Sequence, residues 1–195
     1  MRDESTDKLV EQFFMSPQEE TETFDAKRKG ILKSSKLAKT ASAMANKNGG
    51  TIVIGIGVDH NGCEIIKGFS NKPEEKNRAK EIIKDNTRPS MVDLFKVRFS
   101  EVRGVHLLRI DISKSVDEME EPVKYTGGSS PKAYIRNDDS SDPMTKRQIN
   151  KWHKKRKRKI TNRKFFKFLN KLREFDKNGY PSPDLISNPD DQKDY

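Results

Sequence analysis

The chain has one cysteine, Cys63, which excludes an internal disulfide framework and a cysteine-based zinc site. Its three histidines, His60, His106 and His153, lie far apart and show no metal-ligand spacing. No apolar run approaches the length of a membrane span. The polar, acidic first residues do not read as a signal peptide, so an intracellular protein is expected, cytoplasmic or, in a eukaryote, nuclear. No Gly-x-x-x-x-Gly-Lys-Ser/Thr loop occurs; Gly55 and Gly57, common at strand exits, are the only hint of a nucleotide loop. Apolar residues are also scarce, 31% of the chain against 36% charged, so part of it is expected not to form core.

Acid is missing from one place in particular. Residues 151–173 hold 12 Lys or Arg and no Asp or Glu. The remaining sequence is nearly balanced, with 28 basic against 30 acidic residues. The net charge of +10 therefore belongs to one C-terminal segment, and only that segment reads as a polyanion-binding feature.

What is present is organised around residues 41–57, Ala-Ser-Ala-Met-Ala-Asn-Lys-Asn-Gly-Gly-Thr-Ile-Val-Ile-Gly-Ile-Gly. Leu37, Ala41 and Ala45 recur at helical spacing, and the small residues around them allow close packing. Asn46 to Gly50 closes that helix, since glycine supplies the left-handed turn. The β-branched run from Thr51 to Ile56 predicts a central strand covered on both faces. Gly55 and Gly57 leave bare backbone at its exit, suited to a turn or to a closely approaching ligand.

The other elements follow from pattern. Residues 1–19 form an acidic arm and residues 20–27 a short strand. A helix is expected over 30–46 and a return strand over 63–68. A further helix is expected over 72–87, with Pro73 near its start and Glu74 and Glu75 in its first turn. Residues 91–102 and 105–113 read as a hairpin about Arg103 and Gly104. A loop over 113–130 precedes a strand that begins at Lys132. Pro143, Met144, Thr145 and Ile149 begin a closing helix. Beyond it, Phe165, Phe168, Leu169, Leu172 and Phe175 form an apolar stripe flanked by lysines. Residues 176–195 read as a disordered tail.

Two motifs carry a family resemblance. Asn46-x-x-Gly49-Gly50-Thr51 followed by Ile-Val-Ile-Gly-Ile, and Lys132-Ala-Tyr134-Ile-Arg136 followed by Ser140-Ser141, together resemble the Schlafen-type AlbA domain, also called divergent AAA or AlbA-like. The resemblance covers roughly residues 20–150. It implies an α+β fold, with a mixed β-sheet and two or more packed helices, to which a basic helical extension at 151–175 is added here. It also implies nucleic-acid binding, and in some relatives RNA cleavage by a carboxylate cluster with Mg²⁺ or Mn²⁺.

Carried over residue by residue, the metal carboxylates are Glu20, Asp25 and Asp59, with Lys27 beside a phosphate. Asp25 stands where the family has Glu, and Asp59 is displaced by one or two positions. The bland alternatives are a solvated strand edge for the first two and a hairpin turn for Asp59. Arg136, Ser140 and Ser141 present donors to phosphate, or Arg136 pairs with a carboxylate near the strand end. Lys154, Lys155, Arg156, Lys157, Arg158 and Lys159 have too little apolar content to pack, so contact with a polyanion is their better explanation, RNA or DNA as a nucleic-acid arm or, alternatively, a membrane surface. The leading expectation is a nucleic-acid-binding protein that needs no cofactor for binding. Its alternatives are a Mg- or Mn-dependent endoribonuclease and a dimerisation module built on the aromatic stripe.

Overall fold

The computed structural model describes residues 21–58, 64–70, 72–102 and 104–178. The expected N-terminal arm and C-terminal tail lie outside this set, apart from the last turn of the final helix. Two compact units are present, one through His153 and one from Lys154 onward, the boundary falling inside that helix.

The first unit is α+β, and its elements run in the expected order. Strand β1 (Phe24–Lys27) leads through a 3-10 turn (Lys29–Lys33) into helix α1 (Lys36–Asn46). Strand β2 (Gly50–Ile54) follows, then the short β3 (Ile56–Val58) and β4 (Glu64–Ile66). Helix α2 spans Lys72–Asp85, with Glu74 and Glu75 at its positive end and Lys84 at its negative end. The long hairpin is β6 (Phe95–Val102) and β7 (Val105–Ile112), preceded by the two-residue β5 (Thr87–Arg88). Within the expected 113–130 loop sit a one-turn helix α3 (Ser115–Glu118) and β8 (Lys124–Tyr125). Strands β9 (Lys132–Asn137) and β10 (Ser140–Pro143) precede helix α4 (Lys146–Asn178). These short elements carry too few residues for a periodic signal.

Two four-stranded sheets result, in the orders β1-β2-β7-β6 and β10-β9-β8-β5. The first is mixed: β1 runs parallel to β2, whereas β2–β7 and β6–β7 are antiparallel. As anticipated from its β-branched run, β2 is central and its two faces enter different clusters. Ile52 and Ile54 join Leu37, Ala41, Met44, Ile83, Leu108 and Ile110 in the main core. Val53 joins Ile56, Val102 and Leu107 on the opposite face. A fully buried Leu or Ile side chain contributes about 1.5–3 kcal/mol, so these clusters supply the bulk of the favourable term. That second face also holds Asp111, whose carboxylate accepts from Arg98 Nε at 2.9 Å, Arg109 Nε at 2.7 Å and Thr51 Oγ1 at 3.1 Å.

The central strand ends earlier than its apolar run suggests. Gly55 adopts φ +116°, a conformation that side-chain-bearing residues rarely take. Its N–H donates to the Lys27 carbonyl at 2.9 Å, and its carbonyl accepts from Lys67 N–H at 2.7 Å. The chain thus leaves the β1–β2 ladder and starts a separate two-stranded pairing of β3 with β4.

Helix α1 is buried from Leu37 to Asn46 except at Lys39, which explains its run of small residues. It packs against β9 on one side and contributes to the main core on the other. At its end Asn46 does more than stop the helix. Its amide Nδ2 donates to the Val123 carbonyl at 2.8 Å and the Tyr134 carbonyl at 2.9 Å. Its Oδ1 accepts from Val123 N–H at 2.8 Å and Ser115 Oγ at 3.0 Å. Ser115 Oγ in turn accepts from Trp152 Nε1 at 3.2 Å. Gly49, at φ +70°, passes so close to β7 that a Cβ there would lie 2.5 Å from the Ile112 carbonyl oxygen.

Replacing Asn46 by Ala leaves two carbonyls, one N–H and one hydroxyl buried without their partner. Each such orphan costs about 1–3 kcal/mol, so Asn46→Ala is expected to lose at least ~3 kcal/mol in a denaturant titration. Asn46→Asp, which keeps the acceptor oxygens but loses both donors, is expected to recover less than half of that loss.

Candidate nucleic-acid interface

Asp25 is the second residue of β1, the edge strand of the first sheet, and its side chain is fully buried. Its Oδ1 accepts from Arg136 Nη2 at 2.6 Å and from Lys27 Nζ at 2.9 Å. Arg136 lies on β9 in the second sheet and is only 2% exposed. The carboxylate pairing weighed for Arg136 in the sequence is therefore the one observed, and it spans the two sheets. A buried carboxylate needs such partners, because an isolated charge in the interior is prohibitively costly.

This arrangement bears directly on metal chemistry. Two cations already converge on one oxygen of Asp25. Among the described residues, no group of three or more His, Cys, Asp or Glu is disposed to hold a metal ion. Glu20 and Asp59 lie outside the described residues. The described residues alone therefore do not form a Mg²⁺ or Mn²⁺ site, which takes its ligands from several oxygens and tolerates adjacent ammonium groups poorly.

The β9–β10 hairpin accounts for the two serines. Asp138 takes φ 49° at the turn, a left-handed conformation that Asp and Asn adopt more readily than other side-chain-bearing residues. Ser140 Oγ donates to Asp142 Oδ2 at 3.0 Å, and Asn137 Nδ2 donates to the same oxygen at 2.9 Å. These hydrogen bonds hold the Asp142 carboxyl below the usual carboxylate range. Ser140 is thus exposed and engaged in closing the turn. Ser141 stands opposite Arg136 across the strand pair, with its Oγ buried and without a hydrogen-bond partner among the described residues.

Helix α4 opens with a reciprocal cap that the sequence reading did not pick out. Thr145 N–H donates to Gln148 Oε1 at 2.8 Å, and Gln148 N–H donates to Thr145 Oγ1 at 3.3 Å. The helix continues for 33 residues, carrying the basic segment within it. Successive residues turn about 100° around a helix axis, so six adjacent cations at 154–159 encircle it rather than line one face. Lys154, Lys155, Lys157 and Arg158 are exposed, and Arg156 and Lys159 are half-buried. Farther on, Phe165, Phe166 and Phe168 are 56%, 62% and 44% exposed. No helix among the described residues is long and apolar enough to cross a membrane.

The Schlafen, AlbA_2 family description matches residues 20–145. The chain belongs to the Schlafen, AlbA_2 family. Its AlbA_2 region ends one residue before α4 begins, so the basic helix lies outside the part that defines the family. Two solved structures share the AlbA_2 fold. One is the N-terminal domain of a "Putative ATP-dependent DNA Helicase RecG-related Protein" from Nitrosomonas europaea. It is 17% identical with a TM-score of 0.53, over 71% of this chain and 91% of that domain. The other is the DIP2311 protein from Corynebacterium diphtheriae, 20% identical with a TM-score of 0.53, over 77% of this chain and 28% of that one. At these identities the likeness is one of fold. No curated protein matches the sequence.

Removing one member of a buried ion pair strands the other. Asp25→Ala is expected to destabilise the AlbA_2 domain by about 3–5 kcal/mol in chemical denaturation, and Asp25→Leu combined with Arg136→Met to recover most of it. For Asp142, a folded-state pKa below the unfolded one means that its contribution is present above the ordinary carboxylate range. That contribution is lost as pH falls through the lowered value, so amide exchange in the β9–β10 hairpin is expected to quicken on acidification.

Proposed function

We propose that this protein binds nucleic acid through its phosphate backbone, with the Lys/Arg-rich part of α4 as the principal contact. The observation that carries the reading is the acid-free run of 12 cations at residues 151–173, set on a helix. Four of the six cations at 154–159 are exposed, and the mutual repulsion of so dense a run of like charge is relieved by a polyanion. Release of condensed counterions then supplies the favourable free energy, without regard to base sequence. Membership of the Schlafen, AlbA_2 family supports the reading, as does the fold shared with the N-terminal domain of the RecG-related protein of Nitrosomonas europaea, which is described as a DNA helicase-related protein.

A metal-dependent endoribonuclease is the second reading, resting on the juxtaposition of Asp25 and Lys27 on β1. It requires Glu20 and Asp59 to complete the carboxylate set, with Mg²⁺ or Mn²⁺ as cofactor. Fragmentation of RNA that depends on Mn²⁺ and disappears in Glu20→Gln, at unchanged melting temperature, is its signature.

Each phosphate contact contributes a salt slope of about −0.7 to −0.9 in log K against log salt. Replacing the six cations at 154–159 by Gln is expected to flatten that slope by about 4–5 and to weaken binding by at least ~100-fold at low salt. Fluorescence anisotropy with labelled single-stranded RNA and duplex DNA across a salt series measures both. A slope unchanged by the substitution assigns the contact elsewhere.

A further inference from the structure

The border of the first sheet carries a second basic surface, in the unit that ends at His153. A recess of about 480 Å³ lies between α2, the 3-10 turn before β6 (Val92–Leu94) and the first residues of β6 itself. Its lining residues fall between Lys76 and Val97, inside a stretch described without a break from 72 to 102.

Helix α2 supplies Lys76, Asn77, Lys80, Glu81 and Lys84. Their spacing, i, i+1, i+4, i+5 and i+8, is that of a single helical face, and each step of four residues advances about 6 Å along the axis. Three ammonium groups thus form a row along one wall, with one carboxylate among them. The first-turn acids of α2 are directed elsewhere: Arg78, off this face, holds Glu74 at 3.3 Å and Glu75 at 3.8 Å. Lys76, Lys80 and Lys84 make no ion pair among the described residues. Like charges four residues apart repel, so the row weakens the helix until an anion is laid along it. The opposite wall is apolar. Phe95 and Val97 are buried in the main core, and Val92 stands at the lip, 52% exposed. Lys96 alternates to the other face of the sheet, opposite Asp111, and borders the recess at the strand edge.

We infer that this recess receives a nucleic-acid strand, with phosphates along Lys76, Lys80 and Lys84 and a sugar or base face against Val92. Lysine binds phosphate as a point charge, and evenly spaced point charges suit a chain that carries one charge per nucleotide. A hollow with one cationic and one apolar wall matches the two sides of such a strand, whereas a bilayer offers a broad flat surface. The inference rests on the proposed function and deepens it, because it adds a contact within the AlbA_2 region, in a different unit from residues 154–159.

The test uses the full chain carrying Lys76→Gln/Lys80→Gln/Lys84→Gln, which keeps good helix formers at all three positions. Fluorescence anisotropy with labelled single-stranded RNA across a salt series is expected to show a slope flattened by about 2 and an affinity lowered at least ~10-fold at low salt. The melting temperature is expected to be no lower than that of the unmodified chain. Lys33→Gln/Lys36→Gln/Lys132→Gln removes the same charge from exposed positions outside the recess and is expected to leave the slope nearly unchanged. An unchanged slope in the α2 variant, while the unmodified chain binds RNA, overturns this inference and leaves the proposed function standing. No binding by the unmodified chain overturns both. Equal losses in the two variants assign the effect to net charge and overturn the site. Polyglutamate competing as well as unlabelled RNA reassigns the recess to an acidic protein segment. Loss of binding to phosphatidylserine vesicles with RNA binding retained reassigns it to a membrane surface, and either result overturns the inference.

Discussion

The carboxamide of Asn46 uses its two donors and its acceptor oxygen at once, all inside the protein. Through it the end of α1 is bound to the backbone at Val123 and at Tyr134, and through Ser115 to the indole of Trp152. No apolar residue of similar size offers this combination, and aspartate offers only the oxygens. The constraint propagates in both directions along the chain. Upstream it fixes the buried face of α1; downstream it requires the tight Gly49–Gly50 passage that delivers Thr51 into the central strand. The motif Asn-x-x-Gly-Gly-Thr is thus a piece of architecture, in which each residue type answers a separate steric or hydrogen-bonding demand.

A second cross-connection, Asp25 to Arg136, lies between the sheets and has a consequence for any assay of catalysis. Because Asp25 is fully buried and holds two cations, its removal perturbs folding and any chemistry together. Loss of activity in an Asp25 variant is interpretable only beside a stability measurement and beside the compensated double variant. Arg136 is subject to the same reasoning. The charged residues of the AlbA_2 motifs therefore have structural duties that must be subtracted before functional ones are assigned.

Much of the fold was legible in the sequence, for reasons that differ by element. The helix over 36–46, the hairpin over 95–112 and the family itself follow from periodicity and from two motifs long enough to be specific. The ending of β2 at Ile54 was not legible, because Ile56 continues the apolar run and only the backbone at Gly55 reveals the break. β8 and α3 were hidden by their brevity. At the candidate site, the basic segment was evident from charge alone, since acid is absent over so long a stretch. The direction in which Arg136 points was not, because a strand arginine can face either solvent or a partner strand. The cleft lined by Arg28, Lys29, Gly55, Gly57 and Lys67 was half visible: Gly55 and Gly57 stand out in the motif, but its cations come from two separate places in the chain, and the strand exits share one edge only because β1 lies parallel to β2.

The parallel pairing of β1 with β2 has one more consequence. Parallel neighbours end on the same side of a sheet, so the exits of both strands open at one edge. An antiparallel β1 would have carried Arg28 and Lys29 to the far end of the sheet, away from Gly55 and Gly57. The shared exit makes this edge a junction where two loops meet by topology rather than by side-chain recruitment. Loop sequence there can therefore vary while the strands beneath remain as they are.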